Sequence, residues 1–194
     1  MNGQDKGLVV YQGRPLAEWV LQALAPQSAH MMISANRHLS QYQALLSNWR
    51  PAGANDTAPS QRVWPDDADL PPGSGPLAGI VTALRHCTTD WLLVAPCDTP
   101  HLPLNLVSLL YEEAQRSRAD VVVPKTRAKD HLEHLHWVCA LIRKGVCPQT
   151  EALFVKGERK AGLWVQSCRW SSVSFADEAA FTNMNTLETL HGRA

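Results

Sequence analysis

The sequence predicts an α/β protein whose sheet is mostly parallel and is covered by helices on both faces. Helical and strand patterns alternate along the chain, which is typical of βαβ units joined by right-handed crossovers. Residues 91–95 form an apolar run without charge, as expected for a strand buried on both faces of a parallel sheet. A chain of 194 residues is long enough for one sizeable core, so we expect a single domain over residues 1–194.

The spacing of apolar residues predicts the individual elements in order. Helices are expected at residues 14–24, 40–46, 80–84, 102–116 and 146–156. Strands are expected at residues 30–34, 62–64, 91–95, 120–124, 138–142 and 172–175. The segments 48–61 and 71–79 are rich in Pro and Gly and are expected to be loops.

Charge and cysteine content exclude several classes of function. Eighteen Lys and Arg residues balance eighteen Asp and Glu residues, so no long-range field draws the protein to nucleic acid or to an anionic membrane. The five cysteines include no Cys-x-x-Cys pair, which favours a reduced, cytoplasmic setting. The sequence contains no charged-then-apolar leader and no apolar run of membrane-spanning length, so we expect neither secretion nor insertion.

Asp98 is the first candidate functional residue because it follows the apolar run 91–95. Ligands of open α/β sheets collect at the carboxyl ends of the strands. Asp-Thr-Pro at residues 98–100 is equally good chemistry for a turn or a helix cap. The strand by itself leaves both interpretations open.

Three further segments suit the binding of phosphate or of a nucleotide. Lys6 lies between two glycines, which lets backbone and ammonium approach a phosphate together. The glycines of segment 71–79 lead into a helix whose first N–H groups can meet anions or polar rings, although a plain turn has the same composition. Asn185, near the end, is either a helix cap or a neutral oxygen ligand for Mg²⁺ opposite an aspartate.

Histidines and a basic turn mark a second polar region. His131, His134 and His136 suggest a zinc site, but no nearby cysteine or second carboxylate completes a ligand set, so contact with an anionic substrate is favoured. Residues 156–160 contain three cations, which form either a solvated turn or a contact for a phosphate-bearing substrate.

Five short motifs occur in a fixed order along the chain. They are Asp-Lys-Gly-Leu at 5–8, Asn-Arg at 36–37, Gly-Pro-Leu-Ala-Gly at 75–79, Cys-Asp-Thr-Pro at 97–100 and Asn-x-Asn-Thr at 183–186. In this order and spacing the chain resembles the molybdenum cofactor guanylyltransferase family, MobA-like nucleotidyltransferases of Rossmann-like three-layer fold. The resemblance runs from Met1 to about Leu190, and segments 75–79 and 97–100 are its most specific parts.

The resemblance implies transfer of GMP from GTP to the terminal phosphate of molybdopterin, with release of pyrophosphate and with Mg²⁺ as cofactor. By this likeness Lys6 and Asp98 are catalytic, Lys6 meeting the nucleotide phosphates and Asp98 binding Mg²⁺ with Asn185 as a second ligand. The other nucleotide-binding positions are Ser34, Asn36, Asp66, Leu77, Ala78 and Gly79, and the pterin side comprises His134, Arg159, Lys160 and Asn183. The implied partners are these small molecules, a molybdenum insertion protein and molybdoenzyme-specific chaperones.

The chain departs from the family pattern in two ways. The family begins with a strand and a Leu-Ala-Gly-Gly loop, whereas this sequence starts at a later methionine, so the first central strand and much of the triphosphate cradle are expected to be absent from it. In addition, Asn2 replaces a usual glycine and Ser34 replaces a usual asparagine, although Asn36 is nearby. An in-frame Leu-Ala-Gly-Gly segment upstream in the gene would explain the first departure. With a stop codon there instead, we expect GMP transfer by the chain as given to be impaired.

Two other functions stay open at this point. A cytidylyl- or sugar-nucleotidyltransferase of the same fold would use Asp98 in the same way on another nucleotide or acceptor. A non-catalytic module would instead retain a surface for a pterin or a partner. Competition between GTP and CTP separates the first from a guanylyltransferase, and molybdopterin binding without turnover, unaltered by Asp98→Ala, would support the second.

Overall fold

The computed structural model describes residues 5–49, 62–127 and 132–184. Its helices are α1 (Leu16–Leu24), α2 (Leu39–Ser47), α3 (Pro76–His86), α4 (Leu106–Ser117), α5 (Cys147–Val155) and α6 (Ala161–Ser167). Its strands are β1 (Val10–Tyr11), β2 (Arg14–Pro15), β3 (Met32–Ser34), β4 (Arg62–Trp64), β5 (Trp91–Val94), β6 (Val121–Arg127), β7 (Glu133–Leu135), β8 (Ala140–Arg143) and β9 (Trp170–Phe175). This order confirms the α/β class. None of the described helices has the length and apolarity needed to cross a lipid bilayer.

The described strands form three sheets. β1 and β2 make a small antiparallel pair, and β3 pairs in parallel with β4. The largest sheet has five strands, in which β5 pairs with β8, β8 with β6, and β6 also with β7 and β9. Only the pairing of β6 with β9 is parallel in this sheet, so it is mixed rather than mostly parallel. The reason is that only five residues separate β6 from β7, so the chain reverses there. β8 continues in the direction of β7 and is therefore antiparallel to both β6 and β5.

Alternating side chains of the central strands divide the core into two layers. On β6, Val121 and Val123 belong to the cluster that packs under α3, α5 and α6, whereas Val122 belongs to the cluster under α1 and α4. On β8, Ile142 faces the first layer and Leu141 the second. Because successive residues of a strand point to opposite faces, the sheet is covered by helices on both sides, as predicted.

β5 is less enclosed than its apolar sequence predicts. Leu92 is buried, but Trp91, Leu93 and Val94 are each partly exposed. Within the described residues β5 pairs only with β8 and β3 pairs only with β4, while α3 packs against both β3 and β5.

Two local differences from the predicted elements affect the site. α3 starts at Pro76 rather than near residue 80, because Gly75 adopts a φ of 73° as the cap and Pro76 suits the first helical position. Leu77, Ala78 and Gly79 are therefore helical rather than part of a loop. α6 was not predicted, because its seven residues include a glycine and its stability comes from burying Trp164 and Val165.

Candidate active site

Lys6 and Asp98 lie next to each other, as the motif order predicts for residues of one site. Asp98 sits in the turn after β5, and its carboxylate is nearly buried, with 7% of the side chain exposed. The Lys6 Nζ atom lies 3.6 Å from the Asp98 Oδ2 atom, and the Lys6 side chain is half exposed. Thr99 donates a hydrogen bond of 3.0 Å to the carbonyl of Pro96 and steadies this turn. The arrangement places one shielded carboxylate beside one accessible cation.

The segment that carries Lys6 is anchored through Asp5. Arg37 lies 3.2 Å from Asp5 Oδ2, and the Tyr42 hydroxyl donates a 2.5 Å hydrogen bond to Oδ1. Burial, together with the hydrogen bond to Asp5, raises the pKa of Tyr42, so its hydroxyl remains a donor. A Cβ atom on Gly7 would overlap the Tyr42 hydroxyl, which explains why a glycine follows Lys6.

Four residues expected at the nucleotide form a second cluster. Asn36 Nδ2 donates to Asp66 Oδ2, and the Asp66 backbone N–H donates back to Asn36 Oδ1, both at 2.8 Å. A Cβ atom on Gly79 would lie 3.1 Å from Ser34 Oγ and 3.8 Å from Asp66 Oδ1. The backbone of α3 at Gly79 therefore lies close to the Ser34 hydroxyl and to the Asp66 carboxylate, which the Asn36 amide binds.

The two groups belong to one network. Arg37, which binds Asp5, directly follows Asn36, so the segment after β3 contacts both Asp66 and the Lys6 segment. On the other side, the backbone N–H of Met184 donates a 2.9 Å hydrogen bond to the carbonyl of Asp98. The last described residues are thereby attached to the Asp98 turn.

Leu77 and Ala78 differ from the other predicted nucleotide contacts. Both side chains are fully buried in the core beneath α3. Only their backbone atoms remain for contact with a nucleotide. Their apolar side chains serve to hold the first turn of α3 on the sheet.

A cavity of about 520 Å³ adjoins the Asp98 turn. Arg159, Lys160 and Asn183, which the sequence analysis assigns to the pterin side, all line it. The Arg159 guanidinium donates to the carbonyls of Phe154 and Glu158, whereas the side chain of Lys160 is exposed. The remaining wall is formed by Pro76, Pro96, Thr99, Leu135, His136, Trp137, Val138, Cys139, Ala161, Gly162 and Phe181.

His136 lines this cavity, whereas His134 lies outside its wall. The His134 side chain is half exposed, with its Nδ1 atom 4.0 Å from Glu178 Oε1. His136 Nε2 lies 2.9 Å from Thr126 Oγ1, and its ring stacks on Phe181. The two histidines do not share one strand face because β7 ends at residue 135, between them. Burial and the nearby His134 lower the pKa of His136, so its imidazole is neutral near pH 7.

Trp137 lines the same cavity, although the sequence pattern gives it no functional signal. Its ring lies in edge contact with Trp170, at a centroid distance of 5.4 Å. A Cβ atom on Gly162 would approach the Trp137 ring to 3.3 Å, so the absence of a side chain on α6 lets the indole lie against the helix. No periodic pattern signals this contact, since it joins a loop to an unpredicted helix.

Metal-binding groups are sparse in the described part of the chain. Across residues 5–49, 62–127 and 132–184, no three His, Cys, Asp or Glu side chains are placed to hold one ion. His131 and Asn185 lie outside the described residues. Near Lys6, the Asp98 carboxylate lies beside the ammonium, whereas the Asp5 carboxylate is engaged by Arg37 and Tyr42.

Comparison with known proteins identifies the family of this chain. Residues 1–171 match the model of the MobA-like NTP transferase domain. A molybdenum cofactor guanylyltransferase from Bordetella petrii is 38% identical over 190 residues, which cover 98% of this chain and 88% of that protein. The chain belongs to the MobA-like NTP transferase family. A second family member of the same name, from Cupriavidus necator, is 35% identical and covers 98% of this chain and 87% of its own length.

Solved structures agree on the fold. A molybdopterin-guanine dinucleotide biosynthesis protein A from Archaeoglobus fulgidus superimposes with a TM-score of 0.68 at 22% identity and covers 97% of this chain and 88% of its own. A 2-C-methyl-D-erythritol 4-phosphate cytidylyltransferase from Thermus thermophilus superimposes with a TM-score of 0.66 at 17% identity. The match covers 96% of this chain and 90% of that protein. The nucleotidyltransferase fold predicted from the sequence is confirmed.

Gly79→Ala separates the stability of α3 from nucleotide binding. Alanine is favoured over glycine in a helix by up to about 1 kcal/mol, so we expect the Tm to stay unchanged or rise. The new methyl group would crowd the side chains of Ser34 and Asp66. We therefore expect the Kd for GTP to rise at least roughly fivefold. Calorimetry of nucleotide binding and thermal unfolding measure the two effects.

Gly145→Ala is the matched control, since no atom lies within 4 Å of a Cβ placed there. It should leave GTP affinity at the wild-type value. Wild-type GTP affinity in Gly79→Ala would show that this face of α3 does not meet the nucleotide.

Proposed function

We propose that this protein transfers GMP from GTP to the terminal phosphate of molybdopterin, forming the guanine dinucleotide cofactor and releasing pyrophosphate. The observation that carries this proposal is a single network of contacts. The ion pair between Arg37 and Asp5 connects the Lys6–Asp98 pair to the cluster formed by Ser34, Asn36, Asp66 and Gly79. The guanylyltransferase names of the relatives support the choice of reaction. We also propose that residues 1–194 act as one domain.

Charge neutralisation is the main task of the proposed site. The acceptor phosphate and the α-phosphate of GTP are both anionic, so attack needs alignment and compensation of charge rather than a covalent protein nucleophile. Lys6 would neutralise the charge that develops on the leaving pyrophosphate. Its anchoring through Asp5 would keep the ammonium in place during the reaction.

The residues present fit a Mg²⁺ ion. Magnesium is commonly bound through one or two carboxylates together with substrate phosphates, and Asp98 supplies one shielded carboxylate. Asn185, outside the described residues, is the proposed second ligand. When bound, the ion would screen the oxygens of the α-phosphate.

The Asp66 cluster favours guanine over cytosine as the base. The Watson–Crick edge of guanine carries two adjacent N–H donors, which suit a carboxylate acceptor such as Asp66. The reciprocal hydrogen bonds with Asn36 fix the orientation of that carboxylate. The bare backbone at Gly79 lets the Ser34 hydroxyl and the Asp66 carboxylate lie close to α3.

The cavity beside the Asp98 turn is the proposed acceptor site. It combines the aromatic and imidazole surfaces of Trp137 and His136 with the cations Arg159 and Lys160. Molybdopterin has a flat polar ring system and a terminal phosphate. The ring would lie against Trp137 and His136, and the phosphate would meet Arg159 and Lys160.

The proposed partners and cellular setting follow from this reaction. The product would reach molybdoenzymes with the help of a molybdenum insertion protein and molybdoenzyme-specific chaperones. All five cysteines are unpaired, which supports a reducing compartment such as the cytoplasm.

The decisive experiment measures GMP transfer by the purified protein. With GTP, molybdopterin and Mg²⁺, we expect pyrophosphate and a guanine dinucleotide product, with CTP a poor competitor. Preferential use of CTP would support a cytidylyltransferase instead. Molybdopterin binding without any turnover, unaltered by Asp98→Ala, would support the non-catalytic module.

Lys160→Met tests the acceptor side. Loss of one exposed cation that lines the cavity is expected to raise the KM for molybdopterin about fivefold to tenfold, while the KM for GTP stays unchanged. Steady-state kinetics with each substrate varied in turn measures both values. Lys144→Met removes an exposed lysine outside the cavity and should change neither. An equal rise of both KM values would contradict the assignment.

A further inference from the structure

Arg85, near the end of α3, binds three carboxylates from two other parts of the fold. Its Nη1 atom lies 2.9 Å from Asp67 Oδ2 and 2.8 Å from Asp69 Oδ1, and Nη2 lies 3.0 Å from Asp69 Oδ2. Its Nε atom donates to Glu151 of α5 at 2.5 Å. The planar guanidinium therefore donates from all three of its nitrogen atoms, which the single ammonium group of a lysine cannot do.

Asp67 is held by more than Arg85. Its backbone N–H donates to Thr82 Oγ1 at 3.0 Å, and its Oδ1 atom lies 3.1 Å from Nε2 of His86. The His86 ring in turn stacks on Trp64, the last residue of β4, at a centroid distance of 3.7 Å. Burial by itself would raise the pKa of Asp67, but the hydrogen bonds from Arg85 and His86 lower it, so the carboxylate is ionised at neutral pH.

These contacts attach the segment 66–69 to α3 and α5. Asp66, which precedes Asp67 directly, is the carboxylate of the nucleotide cluster. Arg85 donates hydrogen bonds to Asp67, Asp69 and Glu151, so it acts on the residues that follow Asp66 rather than on Asp66 itself. A network of several charged hydrogen bonds at a partly buried arginine holds geometry better than one exposed ion pair does.

We propose that Arg85 is a positioning residue for guanine-nucleotide binding, which holds segment 66–69 so that Asp66 faces the base. The inference rests on the proposed function, because it takes Asp66 as the base contact. Without Arg85, Asp67 and Asp69 lose their shared partner, and the Asp66 carboxylate gains freedom to leave its pairing with Asn36. Displacements of a positioning group by about 1 Å can lower rates or affinities by up to roughly a hundredfold.

Arg85→Met tests the proposal through a split between kinetic parameters. We expect the KM for GTP to rise about tenfold while the KM for molybdopterin and kcat stay near wild type. Arg85→Lys keeps the positive charge but lacks the planar set of N–H donors, and we expect it to restore only part of the GTP affinity. Arg169→Met is the control, since it removes an exposed arginine paired with Asp120, far along the chain from this segment.

Hydrogen exchange gives a readout that does not depend on turnover. The amides of Asp66 and Asp67 donate to Asn36 and Thr82, so we expect them to exchange faster in Arg85→Met than in the wild type or in Arg169→Met. A lower Tm with wild-type GTP affinity and wild-type exchange in this segment would reduce Arg85 to a purely structural role and overturn the proposal. If the wild type binds no guanine nucleotide, the proposed function fails, and the exchange rates still decide whether Arg85 holds the segment.

Discussion

Asp98→Asn is expected to lower kcat for GMP transfer by at least about a hundredfold, the scale seen when one preorganised charge-stabilising group is lost. The substitution keeps the size of a nearly buried side chain but removes the negative charge beside Lys6. The proposed Mg²⁺ ion would lose its one described protein carboxylate. We therefore expect the Mg²⁺ concentration for half-maximal rate to rise as well, and steady-state assays over a Mg²⁺ series measure both effects.

Asp90→Asn is the control for Asp98→Asn. Asp90 is an exposed aspartate just before β5, so the change removes the same charge without touching the site. Its kcat should equal that of the wild type. An Asp98→Asn protein with wild-type kcat and wild-type Mg²⁺ dependence would contradict the catalytic role of this carboxylate.

Trp164→Ala is expected to lower the free energy of unfolding by about 3–5 kcal/mol. Trp164 is fully buried under the sheet, where its indole N–H donates a 3.0 Å hydrogen bond to Thr150 Oγ1. The Thr150 hydroxyl in turn donates a 2.8 Å hydrogen bond to the carbonyl of Val146. Alanine would leave a large cavity and an unsatisfied hydroxyl lone pair, and urea unfolding followed by circular dichroism measures the loss.

Two companion variants locate the origin of that loss. Trp164→Phe keeps most of the ring volume and removes only the hydrogen bond, so its effect should be clearly smaller. Leu104→Ala removes an apolar side chain that is 73% exposed and should change stability by no more than about 0.5 kcal/mol. A loss below about 1 kcal/mol for Trp164→Ala would mean that α6 is not a required part of the core.

Local pattern predicted several elements well, because each must bury one defined face. The spacing of Leu16, Val20 and Leu24 predicted α1, and the uncharged run at residues 91–95 predicted β5. The direction of strand pairing was beyond such patterns. An apolar strand has the same sequence whether its neighbour runs parallel or antiparallel. In this sheet the reversal between β6 and β7 makes β7 and β8 antiparallel to the strands they pair with.

The order of the motifs also predicted which candidate residues lie close together. Lys6 and Asp98 were expected in one site and lie 3.6 Å apart, and Ser34, Asn36, Asp66 and Gly79 form one cluster. The side chains of Leu77 and Ala78 could not be placed in this way. Whether they face the nucleotide or the core depends on where α3 begins, and the Gly75–Pro76 cap settles that point.

The sequence by itself determined the fold class, the family resemblance and the types of residue in the site, because these depend on composition, periodicity and the order of motifs. Only the tertiary structure decided that His136 rather than His134 lines the cavity, that Trp137 rests on Gly162, and that Arg85 holds the segment after Asp66. Each of these contacts joins positions from different elements. Their distances are set by packing of the whole chain, which no local pattern encodes.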